Sequence, residues 1–174
     1  MHHRLVYGLD IETHASAGSA DPLDPHSSPV RTAVLSTARG ETTFSGDEAS
    51  LLDDLDDAML HLEPGIIATW NGGTFALPFL ADRASMWGLR LGLRLAADPR
   101  LRPRGELLRG HTVAYRAVWH DHRHLDAARL FRSGRRPLIE VDELLRSIGL
   151  RSGTRNRAAT GASGFTQDAL QHES

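Results

Sequence analysis

Ile66-Ile67-Ala68-Thr69-Trp70-Asn71-Gly72-Gly73-Thr74-Phe75-Ala76-Leu77-Pro78-Phe79-Leu80 passes from one structural period to another without a linker. The apolar run ending at Trp70 is short and starts on two β-branched residues, which suits a core strand. Asn71-Gly72-Gly73 supplies residues that tolerate the tight backbone turn a strand needs before it reverses into a helix. Phe75 to Trp87 then reads as a helix. Pro78 is acceptable there because it falls in the first turn, where its missing N–H has no intrahelical partner to lose.

Upstream, Arg4-Leu5-Val6-Tyr7-Gly8-Leu9-Asp10-Ile11-Glu12 reads as a core strand, followed by a polar loop from Thr13 to Pro29 rich in Pro and Ser. Val30 to Ser36 and Thr42 to Ser45 read as short strands about the turn Arg39-Gly40, the start of an antiparallel meander. Ser45 and Glu48 have capping-box spacing. Leu51, Leu52, Leu55, Met59 and Leu62 follow at helical intervals, with Asp53, Asp54, Asp56 and Asp57 mostly on the outer side.

Downstream the pattern weakens between Leu89 and Gly110, where Pro99, Pro103 and the arginines from Arg94 to Arg109 indicate an exposed basic excursion. Thr112 to Trp119 and His122 to Leu125 resume strand character. Pro137 opens a helix whose Leu138, Val141, Leu144, Leu145 and Ile148 share one face and which Gly149 ends. The order predicts an α/β fold: a mixed sheet opened by an antiparallel meander and continued by parallel strands, with helices on both faces. Residues 1–150 form that domain, and residues 151–174 are expected to be a polar, flexible tail or a truncated last element.

At 174 residues the chain is long enough to bury one core without disulfides or a structural metal. It has no cysteine, which excludes disulfides, thiolate metal sites and a cysteine nucleophile. Met1-His2-His3-Arg4 and the short apolar run after it lack the uncharged stretch of a leader or a membrane span, so a cytoplasmic protein without a membrane partner is expected. The net charge is only -2, yet residues 1–89 carry 13 acidic residues against 4 arginines, and residues 90–174 carry 9 against 16. Such a division suits a polyanion on one face and cations on the other; ordinary surface variation is the alternative reading.

Asp10 and Glu12 are two positions apart on a strand, so both side chains leave the same face within reach of common cations. Read together with Trp70 to Leu80, they carry a resemblance. The chain is similar to the DEDD-type 3'-5' exonucleases of ribonuclease-H-like fold, and in flavour to the exonuclease domains of family B DNA polymerases. Asp10-Ile11-Glu12-Thr13 matches the first family motif. The second, Asn-Gly-x-x-Phe-Asp-Leu-Pro-Phe-Leu, is matched by Asn71 to Leu80 at every fixed position except Ala76, where the family has its third metal-binding aspartate. His124-Leu125-Asp126 with Ala127 to Phe131 resembles the later family strand, and Leu138 to Leu150 its following helix.

The fourth family element is a helix bearing His or Tyr with an aspartate shortly after. Asn156 to Ala162 has that outline with Asn156 and Gly161 in place of the base and the ligand; alternatively His172-Glu173-Ser174 begins the element. Only Asp10 and Glu12 of four acidic ligands are therefore in view.

The resemblance implies a metal-dependent exonuclease cutting single-stranded DNA or RNA from its 3' end. In the family two Mg2+ or Mn2+ ions, roughly 3.5–4 Å apart, activate a water and stabilise the leaving oxygen. Here Asp10 and Glu12 are the catalytic metal ligands it implies, Thr13, Asn71 and Phe75 the substrate-binding residues, and Asp126 a possible auxiliary. Ala76 lowers the charge of the site, so hydrolysis is expected to be impaired. A catalytically inactive relative that binds nucleic acid or a protein is the alternative from a different class.

Three further features stand outside this constellation. His120, His122 and His124 alternate, and on one strand they would share a face able to take a transition metal, with an ordinary polar strand edge as the other reading. Arg94 to Arg109 with Arg129, Arg132, Arg135 and Arg136 are candidate phosphate contacts. Trp70, Trp87 and Trp119 each close an apolar segment and are expected in the core rather than stacked on bases.

Overall fold

A computed structural model describes residues 5–14, 24–103 and 106–129. They fold in the order β1 (Leu5–Thr13), β2 (Val30–Thr37), β3 (Gly40–Ser45), α1 (Glu48–His61), β4 (Gly65–Thr69), α2 (Ala76–Met86), β5 (Leu93–Ala97), β6 (Tyr115–Trp119) and β7 (His122–Asp126), with a 3₁₀ turn at Ala127–Arg129.

In β1, Tyr7, Leu9 and Ile11 are buried on the helix side, whereas on the other side Val6 is buried and Asp10 and Glu12 are exposed. It pairs antiparallel with β2 (Gly8↔Ser36) and parallel with β4 (Gly8↔Ala68). β4 continues parallel to β7, and β6 and β5 add on antiparallel. The result is one seven-stranded mixed sheet in the order β3-β2-β1-β4-β7-β6-β5. The fold class is α/β, as the alternation of elements implies.

The core lies on a single sheet face. Leu51, Leu52, Leu55 and Met59 of α1 and Leu77, Phe79 and Leu80 of α2 join Leu9, Ile11, Leu35, Ile67 and Trp119 in one buried cluster. Successive right-handed crossovers that advance the same way along a sheet place their helices on the same face. The helix expected at Leu138 to Leu150, the tail from Arg151, the Asn156 and His172 elements, and Arg132, Arg135 and Arg136 lie outside the described residues.

Several local expectations are corrected. Leu89 to Gly110 is not wholly an irregular excursion: Leu93 and Leu95 pack on the core and make β5 an edge strand paired to β6. The second late strand starts at Tyr115 rather than Thr112. The N-cap of α1 is Asp47, whose carboxylate accepts from the Ser50 amide at 3.1 Å, because Ser45 is committed to β3 opposite Thr32.

Glu48 turns inward instead of capping. Its carboxylate accepts from the Val30 amide at 2.7 Å, from Trp87 Nε1 at 2.8 Å, and from both Nε and Nη2 of Arg83. Burial alone would raise the Glu48 pKa, but Arg83, Trp87 and the Val30 amide together outweigh it and hold the carboxyl below its ordinary value. Asp56 is half-buried rather than outward, accepting from Trp119 Nε1 at 2.6 Å and Gly92 N at 2.8 Å. Trp119 is in the core, whereas Trp70 is 60% exposed and Trp87 50%.

Candidate functional site

The parallel strands β1, β4 and β7 end at the same edge of the sheet, the edge where open α/β sheets take their ligands. On β1 that edge carries Asp10 and Glu12, both exposed and on the face opposite the helices. Asp10 Oδ1 accepts from the Ile11 amide at 3.0 Å. The register with β2 shifts between Glu12 and Thr13, an irregularity of the kind that bends a strand and re-aims its end. Trp70, the first residue after β4, is exposed at the same edge.

The turn after β4 is held from below. Asn71 adopts φ 56, and its carbonyl accepts from the amides of Thr74 at 3.1 Å and Phe75 at 2.9 Å, which starts the winding of α2. Asp126, at the end of β7, accepts from the amides of Asn71 at 3.0 Å, Gly73 at 3.4 Å and Ala128 at 3.2 Å. Its buried carboxylate is thus taken up by backbone donors, and Arg129 Nε stands 3.7 Å away. Such a carboxylate positions the turn.

Glycine is required at two places in this turn. A β-carbon at Gly72 would lie 1.8 Å from Thr69 Oγ1 and 2.7 Å from His124 Nε2, and one at Gly73 would lie 2.7 Å from the Tyr115 carbonyl oxygen. His124 Nε2 in turn lies 2.8 Å from Thr69 Oγ1. Burial pushes the His124 pKa down to about 4 against the opposing pull of Asp126, so the imidazole under the turn is neutral at pH 7.

α2 begins at Ala76 without a side-chain cap on its first amides. Ala76 itself is 5% exposed and belongs to the core cluster. Phe75 is half-buried with its ring centroid 5.4 Å from that of Phe79, so part of its surface serves packing.

The structure therefore brings Asp10, Glu12, Thr13, the Asn71 to Phe75 turn and Asp126 to one edge. Asp126 faces the turn rather than open solvent. Hard carboxylate oxygens at Asp10 and Glu12 suit a cation such as Mg2+ or Mn2+. Among the described residues there is no group of three or more His, Asp or Glu side chains fit to hold a metal. Two carboxylates alone do not provide for a pair of cations.

The three alternating histidines do not form a metal site. His120 has φ 48, lies in the turn between β6 and β7, and bonds Asp56 at 3.1 Å. His122 is buried with Nδ1 accepting from the Gly65 amide at 3.1 Å and Nε2 on the Met59 carbonyl at 2.9 Å. His124 is spent on Thr69. A chain of hydrogen bonds not anticipated from sequence runs from Asp82 Oδ2 to His111 (2.9 Å) to the Tyr115 hydroxyl (2.8 Å), joining α2 to the start of β6. Asp82 lies 29 positions from His111, and the four-residue step from His111 to Tyr115 falls in a loop rather than on a helix, so no periodic pattern announces the chain.

No family model and no curated protein sequence matches the chain. Among solved structures it is similar to the family B DNA polymerase from the hyperthermophilic archaeon Pyrobaculum calidifontis, with a TM-score of 0.54 and 23% identity over 84% of this chain. The chain spans 18% of the length of that polymerase. At this identity the likeness establishes the fold alone.

Proposed function

We propose that this chain is an exonuclease-type domain that takes single-stranded 3' ends of DNA or RNA and hydrolyses the terminal phosphodiester bond with a divalent cation, Mg2+ or Mn2+, at Asp10 and Glu12. Ala76 offers no oxygen to that centre and keeps the hydrolysis weak. The observation that supports this reading is the pairing of two exposed carboxylates with the Asn71 to Phe75 turn at the carboxyl ends of neighbouring parallel strands. Thr13, Asn71 and Phe75 would border the terminal nucleotide.

Direct metal binding tests it. Titration of the chain with Mn2+, followed by the loss of the free-ion paramagnetic resonance signal, should give one weak site that disappears in Asp10→Asn and Glu12→Gln. Unchanged binding in both variants would remove the metal centre from the account.

A second reading is favoured by Ala76 being packed in the core cluster and by the engagement of Asp126 with backbone amides. On that reading the domain binds nucleic acid, or a protein, without cutting. Oligonucleotide binding that persists in EDTA while no nucleotide is released on adding Mn2+ would favour it.

A further inference from the structure

The register of the last three strands places three arginines together that are spread over thirty residues of sequence. In β5 and β6, Leu93 lies opposite Trp119 and Leu95 opposite Ala117, and these four point to the core. Their neighbours therefore point the other way. Arg94 lies opposite Val118, and Val118 lies opposite Arg123 of β7. Arg116 is two residues along β6 from Val118, on the same face. All three arginines are exposed, while Val118 between them is half-buried.

At one strand spacing of about 4.8 Å and about 3.4 Å per residue along a strand, the three guanidinium stems rise about 8–10 Å apart, a triangle around Val118. Among the described residues one of them is in an ion pair, Arg116, whose Nε donates to Asp98 at 2.5 Å. Arg94 Nη2 reaches a backbone carbonyl, that of His120, at 3.4 Å.

This face is continuous with the candidate site. Arg123 and Leu125 share a face of β7, Leu125 lies opposite Ala68 of β4, and Ala68 lies opposite Gly8 of β1. Asp10 and Glu12 continue the row from Gly8 on the same side. From β6 to β1 is three strand spacings, about 14 Å.

We infer that the exposed Arg94, Arg116 and Arg123 form a phosphate track on the sheet face opposite α1 and α2, along which the backbone of a single-stranded nucleic acid lies with its end at Asp10 and Glu12. The inference rests on the nucleic-acid reading above and adds to it the path of the strand. Three separated guanidinium groups around an apolar centre match a flexible polyanion whose charges are themselves spaced, and the bidentate fork of arginine suits phosphate oxygens. Exposed Trp70 follows β4, the strand between β1 and β7, and offers a ring on which a base can stack.

The test is fluorescence anisotropy of a labelled oligothymidylate with the full chain, in EDTA, between 50 and 200 mM NaCl. Arg94→Gln/Arg123→Gln should bind about tenfold more weakly and lower the magnitude of the log–log salt slope by about 1.4, the release of roughly 0.7 counterion per lost single-strand phosphate contact. Arg94→Lys/Arg123→Lys should keep most of the slope, and Arg39→Gln at the far β2–β3 turn should behave as the parent.

If the parent binds and the double Gln variant binds equally with the same slope, the track is wrong while the nucleic-acid reading stands. If the parent does not bind the oligonucleotide at all, that reading falls and the track falls with it. Displacement by polyglutamate at equal charge concentration as effectively as by unlabelled oligonucleotide would overturn the assignment in favour of an acidic protein.

Discussion

Gly72 has no room for a side chain, and what fills the space is the hydrogen-bonded pair Thr69 and His124. Gly72→Ala should therefore destabilise the fold by about 2 kcal/mol or more through overpacking at the turn, read as a lower denaturation midpoint in urea. An unchanged midpoint would mean the turn is looser than its contacts imply. His124 makes the same turn sensitive to pH. Its folded pKa is depressed to about 4 from an unfolded value near 6.5, so the unfolded chain binds more protons between those limits. Stability from this group is fully present above pH 6.5 and is lost as the pH falls toward 4, by about 3 kcal/mol at most. His124→Gln, which keeps a partner for Thr69, should flatten that part of the stability curve in denaturant titrations at pH 4.5 and 7. An unaltered slope would assign the dependence elsewhere.

Between elements, the firmest joint is the buried pair Glu48–Arg83, which ties the first turn of α1 to α2 and, through the Val30 amide, to the start of β2. Removing one partner leaves an uncompensated charge, so Glu48→Ala should cost about 3–5 kcal/mol, whereas Glu48→Leu/Arg83→Met should cost less than the two single changes together. A double-mutant cycle on denaturation midpoints measures this, and additive costs would show that the pair is not coupled. Glu48 also marks where sequence reasoning stops. The periodicity of Leu51, Leu52, Leu55 and Met59 located α1, because one helix face must be apolar whatever it packs on. The partner of Glu48 lies 35 positions away, and no local pattern reports it. The same holds for Asp126, 55 positions from the Asn71 amide it holds. β5 escaped because an edge strand with two core contacts needs little apolar sequence and borrows its stability from β6. The common face of Asp10 and Glu12 was legible, since alternation along a strand is a local property. Trp70 and Trp87 were misplaced because ending an apolar run does not decide which side of the run faces solvent.

Across the whole molecule, the division into an acidic and a basic half becomes spatial through the sheet order. β1 with its carboxylates and β5 to β7 with their arginines occupy different parts of one sheet face, while both described helices cover the other. On the proposed reading that arrangement would hold a cation and a polyanion side by side, the combination that metal-assisted phosphodiester cleavage uses, and Ala76 is where it falls short. The repair is a single residue at the first position of α2, next to the turn that Asp126 and His124 support. Ala76→Asp should bind Mn2+ more tightly than the parent, melt later when metal is added, and release nucleotides from the 3' end of a single-stranded oligonucleotide. The rate should exceed that of the parent by two or more orders of magnitude and be abolished again by Asp10→Ala. Tighter metal binding without cleavage would place the defect at the fourth carboxylate. A variant that shows no tighter metal binding and no cleavage would contradict the assignment of Asp10 and Glu12 as a metal centre, and with it the exonuclease-type reading of this chain.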